Sequence, residues 1–317
     1  MRYACAGVLL AICLSASHVS AQIRTPEPVT EHFEQGNKKL LRGDLDGAIS
    51  ELSRAIALSL PHDRNRSASS NALANSFSYP ADDDSGIALI DPVMADVYTS
   101  RGLARYRKGD IAGAIVDWDR AIAINPGLAV AYLNRGCGRY AKGDTEGALS
   151  DWNRALRINP RLADAYSNRG ALRQDLGEAE QAIADLNRAI ELDPKNPKSY
   201  VHRGYAWADK FDSRQAMADF DRALAIDPGI ASAYQGRGVA EMSEGNLDSA
   251  LSDFSKALEL DPTMVNAHLN RGLTKLLQGK DDEARKDFDL ALILKPDIKD
   301  ELNRRIKKAE AIRAAMR

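Results

Sequence analysis

The chain has 317 residues, with 43 basic and 45 acidic side chains, so its formal net charge is only −2. Apolar residues make up 44% of the sequence and charged residues 28%, proportions that are ordinary for a globular protein. Basic residues form neither a stripe along the chain nor an alternation with aromatic residues. The composition therefore argues against a nucleic-acid-binding protein.

Residues 1–21 are predicted to be a secretory signal peptide, because Arg2 precedes a short apolar run over residues 6–15. Val19-Ser20-Ala21 supplies the small residues of a cleavage site, and the run is shorter than the ~20 residues of a membrane span. We expect cleavage after Ala21, with retention as an anchor or lipidation at Cys13 as alternatives. The short basic region and the alanine-rich sequence favour a periplasmic or secreted protein of bacterial origin.

A constant repeat period organises most of the chain. Four series keep the same step: prolines from Pro92 to Pro296, glycines from Gly102 to Gly272, and alanines that begin at Ala114 and Ala121. Such a period indicates stacked supersecondary units that cannot bury their apolar faces alone. In the copy at 129–162, we predict one helix over 131–141, a stop at Gly143, and a second helix over 145–158.

The period divides the chain into segments. After a polar lead-in at 22–28 comes a first repeat at 29–60, a polar segment at 61–94, and six contiguous repeats at 95–298. The polar segment is interpreted as a long loop, either a disordered spacer or a lid that contacts a partner, with a short helical piece at 86–90. Residues 299–317 are predicted to be a capping helix whose apolar face contains Leu302, Ile306, Ala309 and Ile312.

The repeat pattern resembles the tetratricopeptide repeat family. Its aromatic opening slot is occupied by Tyr98, Tyr132, Tyr166, Tyr200, Tyr234 and His268, and its A-x3-F element reads, for example, Ala148 and Trp152. The resemblance covers most of the chain, from the first repeat to the end of the last one. It implies an all-α fold, namely a right-handed α-solenoid of seven helix-turn-helix repeats plus the C-terminal capping helix.

An arginine precedes each repeat glycine, and an aspartate follows it at a constant separation in all six regular repeats. We predict an ion pair between the two helices of each repeat, with a track of arginines for anions as the alternative. The predicted pairs are Arg101 with Asp117, Arg135 with Asp151, Arg169 with Asp185, Arg203 with Asp219, Arg237 with Asp253, and Arg271 with Asp287. The first repeat has Gln35 and Glu51 at these places.

No catalytic pattern is present in the sequence. The histidines lack the spacing of metal ligands, the glycines are repeat punctuation, and no serine lies in a G-x-S-x-G motif. We therefore expect a non-enzyme that has no cofactor and no metal. Cys137 is the single cysteine after position 21, so an internal disulfide is excluded if the leader is removed. It is interpreted as a small inner residue or, alternatively, as a redox-active one.

The resemblance implies that the first helices of the repeats line a groove for a protein or peptide partner. The groove candidates are Ser100, Tyr106, Asn134, Tyr140, Asn168, His202, Tyr205, Gln235 and Asn270. Asparagine amides can hold a ligand backbone, although nearby Asp96 and Asp164 argue against a clamp for a carboxylate. The resulting hypothesis is a non-catalytic scaffold in the cell envelope. A structural protein that self-assembles as a homo-oligomer and a binder of cell-wall glycans are the alternatives.

Overall fold

The structure, a computed structural model, describes residues 27–59 and 92–315. These ranges contain no β-strand and fold into fifteen α-helices, followed along the chain as seven pairs and a last single helix. The helices are α1 Glu27–Leu41, α2 Leu45–Ser59, α3 Pro92–Lys108, α4 Ile111–Ile124, α5 Ala129–Ala141, α6 Thr145–Ile158, α7 Ala163–Asp175, α8 Ala179–Leu192, α9 Pro197–Asp209, α10 Ser213–Ile226, α11 Ala231–Ser243, α12 Leu247–Leu260, α13 Val265–Leu277, α14 Asp281–Leu294 and α15 Lys299–Ala315. A 3₁₀ turn at Pro296–Ile298 precedes α15.

The repeat at 129–162 shows how the sequence forms one helix pair. Helix α5 ends beside Gly143, whose φ of +85° lies in the left-handed region that glycine adopts without strain. Asp144 then caps α6, since its carboxylate accepts a hydrogen bond from Gly147 N at 2.9 Å. Helix α6 ends at Ile158, before Asn159-Pro160. The turn is therefore built from a glycine stop and an aspartate start.

Two segment boundaries differ from those expected. Helix α1 begins at Glu27, within the expected lead-in at 22–28, and α3 begins at Pro92, within the polar segment expected to extend to 94. Proline is favourable in the first turn of a helix because its missing N–H would have no partner there, which explains the early start of α3. The predicted signal peptide, most of the polar segment and its helical piece at 86–90 lie outside the described residues.

The described residues divide into two compact units, one that contains α1–α6 and ends at Pro160, and one that contains α7–α15 and begins at Arg161. Within each unit, the two helices of a repeat pack against each other, and the second helix also packs against the first helix of the next repeat. Successive first helices contact one another as well, as α1 with α3 and α9 with α11 do. Each unit therefore has an inner row of first helices, which positions the candidate site.

Small residues make the close approach of paired helices possible. A Cβ atom added to Gly136 would lie 2.5 Å from Nε1 of the buried Trp152, and one added to Gly170 would lie 2.7 Å from Cγ of Leu186. Ala148 is fully buried in the same interface. The glycine series thus leaves room for one large side chain per repeat, in keeping with the dense packing of protein interiors.

Helix α15 packs against α13 at the end of the second unit. Leu302 and Ala309 are buried, and the partly buried Ile306 packs with them. Ile312, on the same predicted face, is 44% exposed. The neighbouring Arg313 faces α13 instead, where its Nη1 donates to Leu276 O at 3.0 Å.

Candidate functional site

Each of the six repeat arginines forms a two-pronged ion pair with the aspartate on the second helix of its repeat. Arg101 donates from Nε and Nη2 to Asp117 at 2.9 and 2.7 Å. The same arrangement joins Arg135 to Asp151, Arg169 to Asp185, Arg203 to Asp219, Arg237 to Asp253, and Arg271 to Asp287. These aspartates are at most 6% exposed, so the arginine supplies the charge that makes their burial tolerable.

A second basic side chain, which the sequence analysis missed, also contacts the aspartate in several repeats. The distances are 2.8 Å for Arg105–Asp117, 3.0 Å for Arg139–Asp151, 2.7 Å for Arg173–Asp185 and 3.0 Å for Lys275–Asp287. The sequence feature that could have predicted this second contact is a basic residue four positions after the repeat arginine. At this position the repeats of α9 and α11 have Trp207 and Glu241, and no second basic side chain contacts Asp219 or Asp253 within the described residues.

The first repeat keeps this arrangement with different residues. Glu51 accepts a hydrogen bond from Lys39 Nζ at 2.9 Å and contacts His32 Nδ1 at 2.7 Å. The hydrogen bond from Lys39, together with the contact to His32, lowers the pKa of Glu51 to about 2. Lys39 therefore takes the place of the second basic residue, and the exposed Gln35 takes no part in the pair.

The guanidinium groups also link neighbouring repeats. Arg135 Nη1 donates to Asp119 at 2.7 Å, and equivalent bonds run from Arg101 to Ser53, Arg203 to Asn187, Arg237 to Asp221, and Arg271 to Ser255. The same arginine lies over the tyrosine of the opening slot, with Arg135 Cζ 5.4 Å from the Tyr132 ring centroid. Because their donors are directed into the protein, these arginines have a structural arrangement rather than that of an anion-binding track.

The three groove tyrosines pack against the large side chain of the second helix. The ring centroids are 5.9 Å apart for Tyr106 and Trp118, 6.2 Å for Tyr140 and Trp152, and 5.2 Å for Tyr205 and Phe220. Tyr205 also donates from its hydroxyl to Ser232 O at 2.6 Å, and burial raises its pKa above the ordinary value. The geometry gives these tyrosines a packing role whether or not a partner touches them.

The remaining groove candidates lie mainly in one repeated slot. The residues in this slot are Ser100, Asn134, Asn168, His202 and Asn270. Asn134 and Asn270 are only 6% and 8% exposed, whereas the other three are half-buried. Gln235, which precedes the slot by one residue, is also half-buried. The slot therefore forms a polar line along the inner helices of each unit, with limited access to solvent.

A cleft opens in the first unit where α1, α3 and the start of α5 meet. It encloses about 440 Å³, including the part open to solvent. Its lining is both apolar and polar. The apolar side chains are Phe33, Leu40, Leu103, Leu128 and Val130, and the polar ones are Asn37, Asp96, Thr99, Ser100 and Asn134. Of the predicted groove residues, the cleft brings together Ser100 and Asn134.

Two polar groups in this cleft are affected by burial. Asn37 Oδ1 is buried and accepts no hydrogen bond from any described residue. Asp96 is half-buried, and burial raises the pKa of its carboxyl group above the ordinary value. Both groups present oxygen atoms that can accept hydrogen bonds. The cleft is therefore arranged to receive hydrogen-bond donors.

In the second unit, the inner helices carry a different charge pattern. Burial and the charge of Asp193 raise the pKa of Asp164, and the positive charge of Lys198 opposes this shift. Burial lowers the pKa of the nearby His202 to about 4. The buried His202 Nδ1 has no hydrogen-bond partner among the described residues. The carboxylate of Asp164 therefore has the positive charge of Lys198 nearby, and His202 is neutral at pH 7.

Features of a metal centre or a membrane span are missing from the described ranges 27–59 and 92–315. No group of three or more His, Cys, Asp or Glu side chains there could hold a metal ion. No helix in those ranges has the length and apolarity needed to cross a bilayer. Cys137 is buried, at 2% exposure.

Two family models match repeats of this chain. One, described as a tetratricopeptide repeat, matches residues 138–203, and the other, described as a TPR repeat, matches residues 238–279. The chain contains tetratricopeptide repeats. The all-helical fold and the helix-pair stacking within each unit agree with this family, so the predicted class of all-α repeat solenoid is confirmed.

Solved structures of other proteins share this fold. A tetratricopeptide repeat protein from Parabacteroides merdae is 21% identical, with 88% of this chain and 99% of that chain covered and a TM-score of 0.59. A chain of the APC/C Cut9–Hcn1 hetero-tetramer is 20% identical, with 69% and 43% covered and a TM-score of 0.62. The pilF protein of Pseudomonas aeruginosa is 18% identical, with 64% and 93% covered and a TM-score of 0.58. A search among curated proteins found no match.

Proposed function

We propose that this tetratricopeptide repeat protein is an adaptor that holds a segment of a protein partner against the inner helices of its repeats. The family supports the coarser statement of a protein-interaction scaffold, generally without catalytic activity. The observation that carries the proposal is the cleft between α1, α3 and α5, which combines apolar side chains with polar ones, including a buried amide oxygen of Asn37 that has no hydrogen-bond partner among the described residues. Binding sites combine apolar surface with a few polar groups in this way.

The chemistry of the inner helices favours a peptide-like occupant. Side-chain amides such as Asn134 can pair with both the N–H and the C=O of a ligand backbone. The apolar residues of the cleft can at the same time receive an aliphatic portion of a side chain. A partner that extends beyond the cleft along one unit could bury the ~1,200 Å² or more that specific interfaces require.

The cell envelope is the proposed location. Its support is the sequence of residues 1–21, in which a basic residue, an apolar run and Val19-Ser20-Ala21 occur in the order of a signal peptide. Expression of the full chain in a bacterial host, followed by fractionation and N-terminal sequencing, tests this. A periplasmic product that starts at Gln22 is the expected result, whereas a cytoplasmic product that retains Arg2 would contradict it.

A matched pair of substitutions tests the binding surface. Ser100 lines the cleft, while Ser150 is exposed on α6. The full chain and its Ser100→Trp and Ser150→Trp variants would each be used for affinity capture from an envelope extract. We expect a partner that is retained by the wild type and by Ser150→Trp and lost with Ser100→Trp, because the indole fills the cleft.

The other results of this capture argue against the adaptor proposal. Equal retention by all three proteins would move the binding surface away from the cleft. Capture of no protein, together with light scattering from a species larger than a monomer, would favour a self-assembling scaffold. Thermal stabilisation by cell-wall glycan fragments would favour the glycan alternative.

A further inference from the structure

The cleft of the first unit contains hydrogen-bond acceptors, and none of the residues that line it is basic. Asp96 is half-buried without a basic side chain paired to it in the described part of the chain, and burial alone accounts for its raised pKa. Asn37 Oδ1, buried in the same cleft, accepts no hydrogen bond within the described ranges. Asn134, at 6% exposure, adds a further amide to the lining. Acceptors buried in this way are unfavourable unless a donor reaches them.

A comparison of equivalent repeat positions shows that the cleft lacks the basic residue that the second unit has. Asp164 occupies the same repeat position as Asp96 two repeats later, and the equivalent residue of the repeat after Asp164 is Lys198. The positive charge of Lys198 counteracts the raised pKa of Asp164. The equivalent residue of the repeat after Asp96 is Val130, an apolar residue that lines the cleft. The second unit therefore supplies its own cation, whereas the first unit has an apolar residue in that place.

We propose that the cleft binds a lysine or arginine side chain of the protein partner, with the Asp96 carboxylate as its counter-ion and Asn37 Oδ1 as a second acceptor. The inference deepens the proposed function and rests on it. The basic head group supplies several N–H donors, which match a carboxylate and an amide oxygen that lie in one cleft. The incoming cation takes the role that Lys198 has beside Asp164.

The apolar side chains that line the cleft fit the rest of such a side chain. Lysine and arginine have a stem of three or four methylene groups that packs on apolar surface while the charged head reaches polar groups. The apolar residues available to such a stem are Phe33, Leu40, Leu103, Leu128 and Val130. An acidic peptide would instead bring a second negative charge towards the half-buried Asp96, which is unfavourable.

Peptide selection on the full-length protein tests this inference. A library of displayed random dodecapeptides would be selected in parallel on the wild type, Asp96→Asn and Asp164→Asn. We expect the wild type and Asp164→Asn to enrich peptides with a lysine or arginine at one fixed position, and Asp96→Asn to lose that preference. Thermal melts would show that all three proteins are folded, since Asp96→Asn removes only an unpaired charge.

The results of this selection separate the inference from the proposed function. Enrichment of peptides without a basic residue, or an unchanged basic preference in Asp96→Asn, overturns the inference and leaves peptide binding in place. Equal loss of the preference in both variants indicates general attraction to acidic surface, and it also overturns the inference. Enrichment of no peptide by the wild type contradicts both proposals.

A synthetic peptide pair measures the charge interaction directly. For a selected peptide, replacement of its lysine by norleucine, or of its arginine by citrulline, should weaken binding to the wild type about tenfold or more, as expected for a buried charge-assisted hydrogen bond. The same replacement should change binding to Asp96→Asn little. Val130→Lys should weaken the basic peptide by a similar factor, because it places a cation in the cleft. Unchanged affinity of the replaced peptide for the wild type, or of the basic peptide for Val130→Lys, contradicts the inference, and so does an equal loss on binding to Asp96→Asn.

Discussion

At the scale of single residues, a repeat arginine can make three contacts at the same time. Arg203 pairs with Asp219 through Nε and Nη2, donates to Asn187 of the preceding repeat, and lies over the Tyr200 ring. A guanidinium group suits this role because its planar fork carries five donors and a face that stacks on aromatic rings. The arginine thus joins the two helices of its repeat and connects that repeat to its neighbour.

Two of these arginines differ in a way that predicts unequal effects of the same substitution. Asp219 is paired with Arg203 and with no other basic side chain in the described ranges, whereas Asp185 is paired with both Arg169 and Arg173. Arg203→Leu should lower the free energy of unfolding by about 3 kcal/mol, because it leaves a buried carboxylate unpaired. Arg169→Leu should cost clearly less. Urea denaturation of both variants measures the difference.

The double variant Arg203→Leu/Asp219→Leu provides the control for this prediction. It should recover part of the stability lost by Arg203→Leu, since two apolar side chains then replace a stranded charge. Equal losses for Arg203→Leu and Arg169→Leu would show that the second arginine does not support Asp185. No loss in either would contradict the structural role of the pairs.

His202 predicts a dependence of stability on pH. Burial lowers its pKa in the folded protein to about 4, while an unfolded histidine titrates near 6.5; the Asp175 charge opposes this shift and the Lys198 charge adds to it. Between these values the unfolded state binds more protons, so stability falls as pH decreases from about 6.5 to 4. At pH 7 the histidine is neutral in both states and has no such effect.

The variant His202→Asn isolates this term, because asparagine occupies the same slot in three other repeats. Its stability relative to the wild type should increase by up to about 3 kcal/mol between pH 7 and pH 4. Urea titrations at pH 7, 5.5 and 4 give the comparison, and the carboxylates common to both proteins cancel in the difference. A difference that is constant with pH would show that His202 titrates normally.

At the scale of helices and turns, one repeat departs from the common turn. The first helix of a repeat generally ends at a glycine with positive φ, such as Gly177 at +78°, but the turn after α9 has Phe211 at +60°. A side chain in this region is strained because its Cβ approaches the backbone. Phe211 is also 94% exposed, so packing does not compensate for the strain. The repeat register points to this position, since Phe211 replaces the glycine found there in the other regular repeats.

Phe211→Gly should therefore stabilise the protein by about 1 kcal/mol, the strain released being partly offset by the greater freedom of glycine in the unfolded chain. Gly177→Ala, the reverse type of change at the equivalent position one repeat earlier, should destabilise by a similar amount. Thermal unfolding of both variants measures these effects. A lower melting temperature for Phe211→Gly would mean that the exposed ring makes a favourable contact.

At the scale of the whole molecule, the two units share one scaffold and differ in the charges along their inner helices. In the first unit, Asp96 is followed one repeat later by Val130, and in the second, Asp164 is followed by Lys198. Structural residues such as the arginines and aspartates repeat in every regular copy, whereas these inner positions do not. Residues that vary against a constant scaffold are the ones through which a repeat protein can distinguish partners.

The sequence by itself determined the helix pairs and their contacts. A constant period with glycine, alanine and proline at fixed positions predicts a stack of helix pairs. The constant separation of each arginine from its aspartate predicts the ion pairs that the structure contains. These features are local or repeated, so periodicity alone reveals them. The sequence was less able to predict where helices begin, at Glu27 and Pro92, or that Ile312 is exposed. These features depend on the ends of helices, where the repeat pattern is weakest.

Only the tertiary structure decided which polar groups lack a partner. The sequence contains Asn37, Asp96 and Asn134 at separations that suggest no common site, yet the stacking of α1, α3 and α5 brings them into one cleft. The tertiary structure also determines that Tyr106, Tyr140 and Tyr205 pack against aromatic rings of the core. In the same way it places a second basic residue beside most of the buried aspartates. The physical reason is that burial and hydrogen bonding depend on every neighbour in space, whereas a repeat pattern records only the neighbours that recur.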